Sequence, residues 1–172
     1  LIIVDGVSTD DTVEVAKSLR PDVRIVLETA RGKGAAMKAG FEAATGEIIA
    51  MIDADGSTRP AELLAFVAAL GEGADVVKGS RYARGGGSDD LTPLRSFGNL
   101  VLTKLVNVGW KVDYTDLCYG YMAFWRRHLD VLTPETGGFE VETFLNIRAA
   151  DAGLKVAEVP SWERSRWHGE SN

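Results

Sequence analysis

Two hydrophobic rhythms alternate along this chain. Leu1-Ile2-Ile3-Val4 and Ile48-Ile49-Ala50-Met51-Ile52 are short unbroken apolar runs, the pattern of strands covered on both faces of a parallel sheet. Val23-Arg24-Ile25-Val26-Leu27, Asp75-Val76-Val77-Lys78-Gly79 and Leu154 to Pro160 read as further strands. Between the first four lie helical patterns. Thr12 to Leu19 presents Val13, Val15, Ala16 and Leu19, is capped by Ser8, Thr9 or Asp10, and is stopped by Pro21. Ala35 to Thr45 is a second helix, and Pro60 sits in the first turn of a third that runs to about Leu70. Strand and helix take turns without a break to Gly79, which predicts βαβ units and a parallel, right-handed α/β sheet.

Beyond Gly79 the rhythm changes. Ser80 to Thr92, with Gly85-Gly86-Gly87 and Asp89-Asp90, is a long loop of the kind that carries function. Arg95 to about Gly109 is an amphipathic helix, with Leu100, Leu102, Leu105 and Val106 expected to face the core. Leu117 to Phe124 mixes aromatic and small residues without a clear period, a short helix begins near Arg126, and Glu140 to Ala152 is another helix. The tail from Ser161 is polar. No internal repeat or linker divides the chain, so 172 residues read as one domain.

Composition narrows the field little. An apolar content of 45% and a charged content of 26% are those of a globular protein, and a net charge of −6 argues against a nucleic-acid partner. The one cysteine, Cys118, excludes an internal disulfide and reads as an apolar filler. His128 and His168 lie far apart with no ligand spacing, which removes zinc from consideration. No apolar run reaches the roughly 18 residues of a membrane span. Leu1 opens in mid-strand, which predicts an element before it.

The chemistry gathers at the end of the third strand. Asp53 and Asp55 lie one residue apart after its apolar run, and alternation along a strand would turn both carboxylates to one side. Like charges that close need a shared cation, and oxygen ligands suit Mg²⁺ or Mn²⁺. A loop whose aspartates merely cap the next helix is the competing reading. Arg31-Gly32-Lys33-Gly34 places two cations at a helix start, where an anion is favoured, yet it lacks the P-loop spacing. Arg81, Arg95 and Arg166 are suited to bidentate phosphate contact. Asp116, Glu140 and Glu142 are candidate acids, and positions two apart on a helix cannot share a face, so at most one of the glutamates reaches a cleft.

Taken together these residues resemble family-2 glycosyltransferases of the GT-A fold, a Rossmann-like, mostly parallel α/β sheet flanked by helices, and within them the dolichol- or polyprenol-phosphate sugar transferases. The resemblance is carried by Val4-Asp5 with Ser8 to Thr12, Arg31-Gly32-Lys33-Gly34, Ile52-Asp53-Ala54-Asp55-Gly56 and Gly79-Ser80-Arg81-Tyr82. Thr115-Asp116 with Gly120 to Phe124, Gly138-Phe139-Glu140-Val141-Glu142, and Arg166 with Gly169 and Ser171 complete it. It covers nearly all of residues 1–172, as a single catalytic domain whose first strand would precede Leu1.

The resemblance implies transfer of a sugar from a nucleotide-sugar donor, of the GDP-mannose or UDP-glucose type, with inversion at the anomeric carbon. Asp5, Arg31 and Lys33 would line the nucleotide, and Asp53 and Asp55 would hold Mg²⁺ or Mn²⁺ against the diphosphate. Arg81, Arg95 and Arg166 would hold phosphate, while Asp116 and Glu142 would serve the reacting centre. The acceptor would be a polyprenyl or dolichyl phosphate met at a membrane surface, which implies a cytoplasmic domain, peripheral to the membrane; oligomerisation is left open. Three departures stand out: Gly6 replaces a second aspartate after Asp5, Asn99 stands where a serine often does, and Asn172 replaces a lysine. Glu163 breaks the pattern of processive synthases, which points to single addition. A soluble or glycan acceptor, a nucleotidyltransferase and a non-catalytic nucleotide-binding module remain alternatives.

Overall fold

The computed structural model describes residues 1–135, 138 and 140–166. Strand β1 (Ile2–Asp5) pairs in parallel with β2 (Arg24–Leu27), with helix α1 (Thr12–Leu19) between them in the chain. Helix α2 (Lys33–Ala43) leads to β3 (Ile48–Met51). A 3-10 turn at Pro60–Glu62 runs into α3 (Leu63–Gly71), and β4 (Val76–Ser80) follows. The second half contributes β5 (Gly87–Ser88), α4 (Pro93–Trp110), β6 (Met122–Trp125), α5 (Leu129–Leu132), α6 (Val141–Asp151), β7 (Val156–Pro160) and β8 (Trp162–Glu163).

The main sheet has the order β3-β6-β4-β7, and β5 and β8 form a small parallel pair at its margin. Here the expectation of unbroken βαβ stacking needs correcting. β6 inserts between β3 and β4 and runs antiparallel to both, while β4 and β7 pair in parallel as expected. Its four residues, Met-Ala-Phe-Trp, carry no polar alternation because both faces are covered. Phe124 and Val76 face Met37 and Phe41 of α2 together with Val141 and Leu145 of α6. Ala123 and Val77 face Phe66 and Leu70 of α3. Helices thus cover both sides of the sheet, a three-layer α/β arrangement.

Helix α4 packs more narrowly. Its buried positions are Asn99, Thr103 and Val106, which meet Tyr114 and Leu117 in a small third cluster. Leu102 joins that cluster, but Leu100 and Leu105, expected in the core, are 51% and 64% exposed. No described helix is long and apolar enough to cross a membrane.

Candidate active site

The carboxyl ends of β3, β4 and β7 and the start of antiparallel β6 lie along one edge of the sheet, where open α/β sheets place their ligands. A cavity of about 590 Å³ opens there. Lys33, Asp53, Asp55, Arg81, Arg95, Glu142 and Arg166 all line it. These residues are scattered from position 33 to 166, and the fold brings them to one place.

Asp53 and Asp55 lie past the last residue of β3, Met51, with Asp55 in a turn, so strand alternation does not govern them. Both still face the cavity. Lys33 is the first residue of α2, after Gly32, whose φ of 108° only glycine adopts cheaply. Its ammonium lies 2.9 Å from Asp53 and 2.6 Å from Glu142. Burial pulls the Lys33 ammonium towards neutrality, but the Asp53 and Glu142 charges prevail and its pKa is raised. Glu142 enters from the first turn of α6, and Glu140, two residues earlier, is exposed, as the helical spacing required.

Asp55 accepts a hydrogen bond from the Ser57 amide at 3.0 Å and pairs with the Arg166 Nε at 3.1 Å. Burial would raise its pKa, yet the Ser57 hydrogen bonds and the Arg166 charge hold it below the ordinary carboxylate value. Arg95 stands in the first turn of α4, where the Thr92 hydroxyl accepts from its amide.

Arg81 follows β4 directly. Its Nε and Nη2 donate to the two oxygens of Asp116 at 2.7 and 3.0 Å, and Nη1 donates to Glu163 at 3.0 Å. Burial works against its charge, but these carboxylate contacts raise the pKa above its ordinary value. Asp116 itself is fully buried and does not line the cavity. Burial pushes its carboxyl up, and the Arg81 hydrogen bonds and charge bring it below the usual range. It holds Arg81 from behind the cavity wall, whereas the expectation had it at the reacting centre.

Two more expected residues stand off the cavity. Asp5 ends β1, is 5% exposed, and accepts hydrogen bonds from the Ser8 amide and hydroxyl. Arg31 is exposed. Neither lines the cavity. Phe139, Trp167, Gly169, Ser171 and Asn172 lie outside the described residues.

Other contributors were not among the expected site residues. Asn99 lines the cavity from α4; its amide donates to Asp116 at 3.1 Å and its oxygen accepts from the Leu117 and Cys118 amides. Glu158 of β7 accepts from the Thr115 amide and hydroxyl, with the buried Lys78 ammonium 3.7 Å away. Cys118 is exposed at the cavity rather than a core filler. Gly120 lies close against this cluster: a Cβ there would lie 2.8 Å from the Lys33 ammonium and 3.2 Å from both Asp53 and Glu142.

The arrangement is a cavity with paired carboxylates on one wall and three guanidiniums around it. The model described as Glycosyl transferase family 2 matches residues 1–133. The chain belongs to glycosyl transferase family 2. Among its relatives, Glycosyltransferase AglJ of Haloferax volcanii is 30% identical over 164 residues, covering 94% of this chain and 52% of its own length. Polyprenol monophosphomannose synthase of Mycolicibacterium smegmatis is 34% identical over 175 residues, covering 93% of this chain and 64% of its own. The chain thus spans between half and two thirds of these relatives.

Glucosyl-3-phosphoglycerate synthase of Mycobacterium tuberculosis, solved with Mn²⁺, uridine diphosphate and glucosyl-3-phosphoglycerate, superposes with a TM-score of 0.71 at 28% identity. It matches 100% of this chain over 61% of its own. The shared architecture is the GT-A type of family-2 transferases.

Proposed function

We propose that this domain transfers a sugar from a nucleotide-sugar donor, of the GDP-mannose or UDP-glucose type, to a phosphate-bearing acceptor, with inversion at the anomeric carbon. The observation that carries the reading is the meeting of Arg81, Arg95 and Arg166 with Asp53 and Asp55 on one cavity. In the reaction the bond between the anomeric carbon and the donor's diphosphate oxygen breaks, and its electron pair leaves with the nucleoside diphosphate. An acceptor oxygen supplies the electron pair for the new bond on the opposite face of the sugar. Negative charge gathers on the diphosphate, so fixed cations beside it stabilise the transition state. Arg95 and Arg166 are placed for that role, and Arg81, locked by Asp116 and Glu163, presents a fixed positive edge.

Asp53 and Asp55 fit a hard divalent cation in donor type and in access to the cavity. No set of three His, Cys, Asp or Glu ligands occurs among the described residues, so a cation held by Asp53 and Asp55 would need further ligands from substrate phosphate. Bound there, Mg²⁺ or Mn²⁺ would supply Lewis-acid stabilisation of the leaving diphosphate. The Arg166 guanidinium, resting on Asp55, is the cation within reach to take up diphosphate in exchange. Lys33 holds the Asp53 and Glu142 carboxylates in place and keeps their repulsion in check.

The acceptor we favour is a polyprenyl or dolichyl phosphate, supported by the relative named a polyprenol monophosphomannose synthase. A phosphate monoester is already an anion, so Glu142 orients the sugar or acceptor and little base catalysis is needed. The same reading makes residues 1–172 one catalytic domain with a further strand before Leu1. In support, β1 pairs with β2 and β3 with β6 among the described residues, so each is an edge strand of its own sheet with room for a further partner.

The deciding experiment offers GDP-mannose, UDP-glucose and UDP-N-acetylglucosamine with Mn²⁺ or Mg²⁺, and scores sugar transfer to polyprenyl phosphate and to soluble phosphate acceptors. Metal-dependent transfer to the lipid, lost in Asp55→Asn, is expected. Transfer only to a soluble phosphate keeps the enzyme class and replaces the acceptor. Release of pyrophosphate from a nucleoside triphosphate, or nucleotide binding with no turnover, overturns the proposal.

A further inference from the structure

Helix α4 has two apolar faces. Asn99, Leu102, Thr103 and Val106 turn inward. At 100° per residue, Leu94, Phe97, Val101, Leu105 and Val108 fall in a single stripe on the opposite side. They are 80%, 64%, 42%, 64% and 82% exposed. The stripe runs about 20 Å, from position 94 to 108 at 1.5 Å per residue. A helix that is apolar all round is normally covered, and a continuous exposed stripe marks a contact surface.

Charge says what kind. Residues 91–112 contain Arg95, Lys104 and Lys111 and no acidic residue, in a chain whose net charge is −6. Lys104 falls beside Phe97 and Val108 on the helix, and Lys111 caps its end in the left-handed conformation. Trp110 at the same end lies on the inward side, where its indole N–H donates to Asp151, and takes no part in the stripe. An apolar stripe edged by lysines is the make-up of a helix lying in a lipid interface. A second copy of this chain would bring the lysine-edged stripe onto the same lysines, which disfavours self-pairing.

We propose that α4 seats this domain on an anionic lipid surface, with its exposed stripe in the interface and Lys104 and Lys111 at the headgroups. The placement has a consequence for the cavity. Arg95 and Asn99, on the same helix, line it, and Leu91 lines it from the preceding loop. The helix that meets the lipid is therefore the helix that forms one wall of the cavity, so a headgroup drawn from that surface has a short way to travel. The lipid contact stands on α4 alone; delivery of a lipid phosphate to the cavity rests on the transferase reading.

The test is flotation of the full chain with vesicles of equimolar phosphatidylglycerol and phosphatidylcholine, and with phosphatidylcholine alone, without nucleotide. Flotation with the anionic vesicles, weakened by salt, is expected. Phe97→Ser/Leu105→Ser/Val108→Ser should cut partitioning at least about tenfold, from the loss of three buried apolar groups. Lys104→Glu/Lys111→Glu should cut it by about fivefold or more per lysine on anionic vesicles alone. Val15→Ser/Leu19→Ser on α1, where both residues are also exposed, should leave it unchanged. Far-UV circular dichroism confirms that each variant is folded.

Absence of flotation, or equal flotation of the α4 stripe variant, overturns the proposal. So does a dimer in light scattering that the stripe variant dissolves. Donor binding measured in parallel separates the two readings, because it fails with the transferase assignment and survives loss of the lipid contact.

Discussion

Arg81 and Asp116 form a two-pronged ion pair sealed beneath the cavity, with Nε 2.7 Å from one carboxylate oxygen and Nη2 3.0 Å from the other. The Arg81 amide also donates to Asp116, at 3.1 Å, so backbone and side chain are tied to one anion. Thirty-five residues of sequence separate the partners. The pair joins the end of β4 to the loop before β6, the two segments that frame the middle of the site.

Removing one partner should be far more damaging than weakening it. Asp116→Ala leaves a nearly buried guanidinium with Glu163 as its one remaining carboxylate partner among the described residues, and should cost about 3–5 kcal/mol of stability. Asp116→Asn keeps the shape and one acceptor and should cost less. Urea unfolding of both variants checks the order; equal losses would contradict it and mean that the charge alone, not the retained shape and acceptor, carries the effect.

The same carboxyl contributes to the acid limit of the fold. Its pKa is lowered in the folded state from an ordinary 3.8, as is that of Asp55. A lowered carboxyl pKa means that the unfolded chain binds the proton more readily, so the stabilisation is complete above the unfolded value and fades as pH falls through the folded one. Melting temperature should therefore hold steady above about pH 5 and drop below about pH 4, with a shallower drop in Asp116→Asn. A profile in Asp116→Asn that falls as steeply as that of the parent protein would contradict this account.

What could be read from the sequence, and what could not, follows from the range of the interactions involved. The early strands and helices announced themselves because periodicity and helix stops are local. That Glu140 and Glu142 would not share a face was legible for the same reason, since two residues on a helix diverge, whereas the choice of Glu142 came from the resemblance. β6 escaped notice because four residues covered on both faces carry no alternation. Leu100 and Leu105 were assigned to the core because apolar character alone does not say which of two apolar faces is covered. That Arg81, Arg95 and Arg166 gather around one cavity depends on chain segments up to 85 residues apart, 166 minus 81, and no local pattern encodes it. Asn99 stood out only as a departure from the family pattern, because the role of a neutral amide in a helix shows only once three backbone and side-chain groups converge on it.

Asn99 is accordingly a sensitive position. It donates to Asp116 and accepts from two amides, so Asn99→Ala leaves several buried polar groups unpaired and should cost about 1–3 kcal/mol. Asn99→Asp is isosteric but sets a second carboxylate against Asp116, and should cost more at neutral pH and recover as the solution is acidified towards pH 4. Thermal melts of both variants across pH distinguish lost hydrogen bonds from charge repulsion.

Gly120 offers a way to disturb the cavity while sparing the fold. Its backbone is outside the left-handed region, so alanine brings no backbone strain. The added methyl would lie 2.8 Å from the Lys33 ammonium and 3.2 Å from the Asp53 and Glu142 oxygens. The ammonium is the far end of a flexible side chain and can move at little cost, whereas the two carboxylates it holds would lose their shared partner. The gain from a less flexible unfolded chain offsets much of the crowding, so stability should change by no more than about 1 kcal/mol. Binding of nucleotide-sugar with Mn²⁺ should nevertheless weaken at least about tenfold, because a small misplacement of groups around a substrate is costly. Calorimetric titration alongside a thermal melt would show both. Unimpaired binding in a folded Gly120→Ala protein would remove the Lys33, Asp53 and Glu142 cluster from the donor site.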